Sequence, residues 1–256
     1  MNLNLSGRTA LITGASRGIG LAIAKALAAE GVLLTLVARD AERLNKVCQE
    51  LGAKALPFDL AKPENIDALV EACGDVDILV NNAGGVPRGT IDEIDRKTWQ
   101  KAWDLKVFGY IDLTRAYLAR MSKRGKGVIM CVIGAAGERA DPNYVAGCMS
   151  NAALNMMVQC LGGESVRHGV RVVAVNPGPI MTDRFMEGML WRAEKRFGDK
   201  NRWPEILTND LPMKRAGTVE EVASAVAFLV SDHAAYVSGE ALRIDAGFMG
   251  ALRRQN

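Results

Sequence analysis

The sequence predicts an α/β fold: a doubly wound parallel sheet, flanked by helices on both faces, in a single domain over residues 1–256. Three observations lead there. Short runs that are apolar throughout, such as 33–38 and 128–132, alternate with longer segments of helical period. Strands read that way when helices bury both faces of a parallel sheet. A glycine-rich turn joins the first strand to the first helix, and no Pro- or Ser-rich linker, internal repeat or low-complexity tract divides the chain.

Residues 8–13 read as the first buried strand. A helix over 18–30 follows, with Ile19, Ile23, Ala26 and Leu27 on one face and Gly31 placed to stop it. Further strands fall at 33–38, 55–58, 78–80, 128–132, 171–175 and 241–244, with helices near 41–51, 64–72, 95–122, 147–166 and 219–230 between them. The stretch 183–211 breaks the rhythm. It is polar and basic and carries Phe185, Trp191, Phe197 and Trp203. A long insert beside a site commonly acts as a lid, and a substrate lid is expected here.

Composition narrows the function. A 256-residue chain with 49% hydrophobic and 24% charged residues can bury a full core without staples. A formal net charge of +3 gives no reason to expect nucleic acid or a membrane as partner. Cys48, Cys73, Cys131, Cys148 and Cys160 lack metal-ligand spacing, and with only His168 and His233 no metal site is expected. The opening MNLNLSGRTALITG lacks a basic stretch followed by an apolar one, so no signal peptide is read and a reducing cytoplasm is expected. A small-molecule substrate remains.

The turn TGASRGIG at 13–20 carries the first chemistry. Gly14, Ser16, Arg17, Gly18, Ile19 and Gly20 form a loop that runs straight into a helix. A side chain there would block a pyrophosphate, and the helix N-terminus supplies free N–H groups and the positive end of its dipole. A tight strand–helix turn with no ligand is the alternative. Arg39 stands just past the second strand, where an acidic residue would bind the ribose 2′-OH of NAD. With Arg17 it favours the 2′-phosphate of NADP(H); two solvated arginines are the alternative.

These motifs, in this order, resemble the signature of the short-chain dehydrogenase/reductase family and its 3-oxoacyl-ACP-reductase-like members. The resemblance continues through Asp59-Leu60, Asn81-Asn82-Ala83-Gly84 and Asn176-Pro177-Gly178-Pro179-Ile180-Met181-Thr182, and on to Ser238-Gly239. It implies a Rossmann fold with Asp59 on the adenine amino group. Asn81, Ala83 and Gly84 would line the adenosine ribose, beside Leu60. Pro177, Gly178, Ile180 and Thr182 would hold the nicotinamide and pyrophosphate. It also implies a homotetramer or homodimer built on the helices near 95–122 and 147–166.

The catalytic half departs from that family. Its members move a proton with a Tyr–x–x–x–Lys pair, helped by a serine and an asparagine. Aligning Ala146-Gly147-Cys148-Met149-Ser150-Asn151-Ala152 puts Gly147 at the tyrosine and Asn151 at the lysine. Gly134 then falls at the serine and Lys106 at the asparagine. All four catalytic positions are substituted in this register. A rival register takes Tyr144 as the tyrosine but still finds no lysine. Otherwise Tyr144 projects into the cleft from the preceding loop, or packs as a wall residue.

Asn151 can bond a ribose hydroxyl but carries no charge to lower a neighbour's pKa. Gly147 costs helix stability, so it is expected to make room for substrate or for another side chain. Lys106 is the expected occupant, since Trp99, Trp103, Lys106 and Tyr110 share a face at helical spacing. Snorkelling, or a cation–π contact with Trp103 or Tyr110, is the alternative. Cys131 and Cys148 read as core fillers, and Glu138-Arg139 as a solvated pair or a substrate contact. Arg184, Arg192, Lys195, Arg196 and Arg202 on the insert point to an anionic substrate or to a solvated helix face. The function expected is an NADP(H)-dependent oxidoreductase on a small carbonyl or alcohol, with Lys106, Tyr144 and Asn151 as candidate catalytic residues. The alternative is a non-redox NADP(H)-binding protein: a sensor, a partner subunit, or a retooled lyase or isomerase.

Overall fold

In the computed structural model, which describes residues 2–251, β1 (Thr9–Thr13) turns Ala10 and Ile12 to one face of a sheet and Leu11 to the other. This is the two-residue period of a strand. Six more strands repeat the division: β2 (Leu33–Val37), β3 (Lys54–Leu56), β4 (Ile78–Asn81), β5 (Gly127–Val132), β6 (Val170–Pro177) and β7 (Ala241–Ile244). The sheet is parallel throughout, in the order β3-β2-β1-β4-β5-β6-β7.

Helices cover both faces, as the doubly apolar strands require. On one side Ile12, Leu36 and Val173 pack with Ile23 and Leu27 of α1 (Gly18–Ala29) and with Val222 and Val226 of a late helix, Val219–Val230. Between these lie α2 (Ala41–Leu51), α3 (Glu64–Cys73), α4 (Arg96–Trp103), α5 (Gly109–Arg124) and α6 (Val145–Ser165). On the other side Leu11, Ile129 and Val172 meet Leu113 and Tyr117 of α5 and Leu154 and Val158 of α6. The insert supplies α7 (Asp183–Phe197) and α8 (Trp203–Asp210), so the late helix is α9. No helix among the described residues is long and apolar enough to cross a membrane.

The strand order reverses at β1, which has β2 on one side and β4 on the other. Chain connections leave this point in opposite directions and open a crevice at the carboxyl ends of the strands. The site lies there.

Two expectations about elements change. The helix expected over 95–122 is interrupted by a π turn, Asp104–Phe108. The extra residue per turn breaks the shared face: Trp103 donates to the Ala146 carbonyl (3.3 Å), while Tyr110 donates to the Val132 carbonyl (2.8 Å). The irregular stretch 183–211 forms two helices with their own apolar cluster, in which Met189, Ala193, Ile206 and Leu207 pack with Phe185, Trp203 and Phe248. Periodicity there was masked by basic residues on the outer faces.

Candidate active site

The crevice is a cleft of about 940 Å³. At one end the glycine loop is pinned to the strand beside it. The Thr13 hydroxyl accepts from the backbone N–H groups of Asn82 and Ala83 (2.9 Å each), and the Asn82 amide donates to the Thr13 carbonyl (2.9 Å). Gly14, with φ +65°, lies so close that a Cβ would sit 2.9 Å from the Ala83 Cα. The loop is thereby held flat, and α1 opens behind it at Gly18 without a side-chain cap. Its first N–H groups have no partner within the helix.

Gly14, Ser16, Arg17, Gly18, Ile19 and Gly20 line the cleft, as do Arg39, Leu60, Ala83 and Gly84. Pro177, Gly178, Ile180 and Thr182 form the opposite wall, where the Thr182 hydroxyl also caps α7 by accepting from Phe185 N–H (3.2 Å). An uncapped helix start in a phosphate-sized glycine cradle fits a dinucleotide. The other polar signal is Asn151: its side chain is buried in the cleft wall and its Oδ1 has no partner among the described residues. A ribose hydroxyl would satisfy it.

Two expected cofactor residues are not on the cleft wall. Asp59 lies outside the cleft lining, and its Oδ1 accepts from Ala61 N–H (3.2 Å) in a local turn. The Asn81 side chain is fully buried beneath the site and donates to Thr114 Oγ1 (3.1 Å), because its strand position faces α5. Arg43 joins Arg17 and Arg39 at this end, while the neighbouring Asp40 is committed to capping α2 through Arg43 N–H (3.0 Å).

The other end gathers Lys106, Tyr144 and Asn151 on one wall. The π turn carries Lys106 inward, and its stem passes beneath Gly84, where a Cβ would lie 3.2 Å from the Lys106 Cδ. Its Nζ donates to the Ile133 carbonyl (2.8 Å). Burial, reinforced by the charge of Arg184, lowers its pKa to about 7. Lys106 thus ends at the Ile133 carbonyl; it neither stacks on Trp103 or Tyr110 nor fills the space at Gly147, where it was expected.

Tyr144 fills that space. A Cβ on Gly147 would lie 2.1–2.5 Å from Cζ, Cε1 and Cε2 of the Tyr144 ring. The ring packs with Val86, Ile94 and Ala146, the Arg88 guanidinium stacks on it (5.0 Å), and Arg184 Nη2 approaches the phenolic oxygen (3.4 Å). Residues 147 and 151 lie one turn apart on α6, so the phenol and the Asn151 amide occupy one helix face. Gly134, with φ +137°, holds the facing loop. A side chain there would be strained and would press on Asn151 Nδ2 at 3.0 Å. Burial pushes the Cys131 thiol up to about 12 and raises Cys148 as well, which disfavours the thiolate at both.

The geometry at Gly147 gives a direct test. Gly147→Ala should lower stability although alanine is the better helix former by about 1 kcal/mol. The displaced ring makes this an overpacking change, typically costing about 1–3 kcal/mol. Thermal unfolding measures it, and in a Tyr144→Ala background, itself destabilised by the lost ring, Gly147→Ala should no longer lower stability.

The family model for enoyl-(acyl carrier protein) reductases matches residues 14–249. The chain is 34% identical over 254 residues to 3-oxoacyl-[acyl-carrier-protein] reductase FabG of Vibrio cholerae, covering 96% of this chain and 98% of the relative. It superposes with a TM-score of 0.89, at 34% identity, on L-sorbose reductase from Gluconobacter frateurii complexed with NADPH and L-sorbose, covering 97% and 99% of the two chains. The chain belongs to the short-chain dehydrogenase/reductase family. A second family structure, 7α-hydroxysteroid dehydrogenase complexed with NADH and 7-oxo glycochenodeoxycholic acid, matches at 30% identity with a TM-score of 0.85 and 96% coverage of each chain.

Within this family member, sequence reasoning missed Arg88 as a cleft residue and did not see Asn82 as the clamp on the glycine loop. A usable signal existed for Arg88: it follows the fourth strand in the loop at its carboxyl end, where parallel α/β folds place their sites.

Proposed function

We propose that this chain is an NADP(H)-dependent oxidoreductase acting on a small carbonyl or alcohol, with the family's Ser, Tyr, Lys and Asn positions taken by Gly134, Gly147, Asn151 and Lys106. The observation that carries the reading is the Tyr144 ring over Gly147. A phenol lost at one position of α6 is supplied from one turn earlier, and the glycine is what admits it.

When bound, NADP(H) supplies or accepts the hydride. The Tyr144 hydroxyl gives its proton to the substrate oxygen in reduction, and its oxygen takes the proton back in oxidation. Arg184 orients the phenol from the open side. Asn151 offers its unpartnered Oδ1 to a ribose hydroxyl. Lys106, held at the Ile133 carbonyl, places a buried ammonium beside the site of charge development. Helix α7 lines the mouth through Arg184, Phe185, Gly188 and Arg192 and, with α8 packed behind it, forms the substrate lid.

For the cofactor, Arg17, Arg39 and Arg43 at one end of the cleft support NADP(H) over NAD(H). Calorimetric titration should find NADPH the tighter ligand. Arg39→Asp should weaken it by about 1.5–3 kcal/mol, the range for a hydrogen bond to a charged group. A tenfold preference for NADH would overturn the assignment. Loss of reduced-nicotinamide absorbance with a panel of ketones and oxoacids tests turnover. Tight NADPH binding with no turnover on any of them would favour the non-redox reading.

A further inference from the structure

The basic residues of 183–211 divide into two groups. Arg196 pairs with Asp210 (3.0 Å), Arg202 pairs with Glu205 (2.6 Å), and Lys195 lies over the Trp191 ring (4.4 Å). These cations are satisfied on the outer surface. Arg184 and Arg192 instead line the cleft, and Arg88 and Arg139 from two other loops join them. Three separate segments thus deliver guanidinium groups to one cleft, with Arg88 and Arg184 at the Tyr144 ring.

Acidic compensation is thin. Asp141 lies 3.5 Å from Arg88, and Asp183, the other carboxylate lining this end, forms no ion pair within 4 Å among the described residues. Arg139 and Arg192 have no carboxylate within that distance among the described residues; Arg139 rests over the Phe248 ring (5.8 Å). Arg192 is half-buried; burial, Arg88 and Arg139 lower its pKa, with Asp210 and Asp141 opposing them from beyond ion-pair distance. Arg88, Arg139 and Arg184 are exposed and Arg192 is half-buried, so water screens part of their mutual repulsion; four guanidinium groups lining one cleft still give it a positive potential that attracts an anion. A fork-shaped guanidinium matches a carboxylate or phosphate with two parallel hydrogen bonds.

Resting on the oxidoreductase reading of this cleft, we infer that the substrate carries an anionic group, a carboxylate or phosphate, which Arg139 and Arg192 bind while Arg88 and Arg184 flank the reacting oxygen at Tyr144. The lid then contributes recognition as well as cover, because Arg192 belongs to α7.

The test uses full-length protein saturated with NADP+, so that the cofactor's own phosphate sites are filled. Calorimetry compares dihydroxyacetone phosphate with dihydroxyacetone, and acetoacetate with its methyl ester. In at least one pair the anion should bind about 10- to 100-fold tighter than its neutral partner, the range of a charged hydrogen bond. Which pair responds identifies phosphate or carboxylate. Arg139→Gln/Arg192→Gln should abolish the preference and leave NADPH affinity unchanged. Equal binding within both pairs, or a preference that survives in the double variant, overturns the inference. Loss of NADPH binding by the unaltered protein would instead strike the oxidoreductase reading itself, so the two failures are distinguishable.

Discussion

Tyr144→Phe should lower kcat by about 10²–10⁴-fold, the range for removal of a general acid–base group. The phenylalanine ring still fills the space over Gly147, and the lost contact with Arg184 is a long one at 3.4 Å. Folding and NADPH affinity should therefore hardly change, and the loss should fall on kcat with little effect on KM. Thermal unfolding and cofactor titration on the same variant separate a chemical loss from a structural one. Undiminished turnover would remove Tyr144 from the chemistry and leave the proton to Lys106, water or the substrate. Gly147→Ala acts through the same ring. It should lose activity alongside Tyr144→Phe while also losing stability, which Tyr144→Phe does not.

Lys106→Met should abolish or sharply reduce turnover while stabilising the fold at neutral pH. Burial takes the ammonium from the ordinary lysine range to about 7. Between pH 7 and that ordinary range the unfolded chain holds a proton that the folded chain lacks, so native stability rises with pH across the window. Below pH 7 both states are protonated and the whole cost of burying the charge is present. That cost is on the order of 4 kcal/mol. Removing the side chain also strands the Ile133 carbonyl, at about 1–3 kcal/mol. A net gain of about 1–3 kcal/mol at pH 6 should remain and should shrink as pH rises toward 10. Chemical denaturation of both proteins at pH 6, 8 and 10 measures it. A gain that is absent at pH 6, or that grows with pH, would contradict the buried position. Normal turnover in the methionine variant would remove Lys106 from the mechanism. NADPH affinity should stay nearly constant, because the lysine bonds to backbone.

The glycine-loop end of the cleft was readable because it is built from contiguous segments whose conformation is local. A glycine run between a strand and a helix makes its own phosphate cradle, and the residue after the second strand lies beside it in any right-handed βαβ unit. The apolar runs likewise specified a parallel sheet, since doubly buried strands leave few alternatives. Asp59 and Asn81 mark where local reading stops. Each lies in a matching motif, yet the strand's alternation turns Asn81 toward Thr114, and a backbone N–H two residues on takes the Asp59 carboxylate.

At the other end of the cleft, residue order left open which side chain lies over Gly147. Whether Lys106 or Tyr144 fills the room left by Gly147 depends on the π turn at 104–108 and on the backbone at 143–144, neither of which has a signature in the residues themselves. Charge pattern alone likewise treated all the insert's basic residues as equals. Only packing separated Arg196 and Arg202, which meet carboxylates outside, from Arg184 and Arg192, which line the cleft with Arg88 and Arg139. The physical reason is range: backbone conformation and capping act over a few neighbouring residues, whereas a side chain's partner is chosen by segments that folding brings together from far apart in the chain.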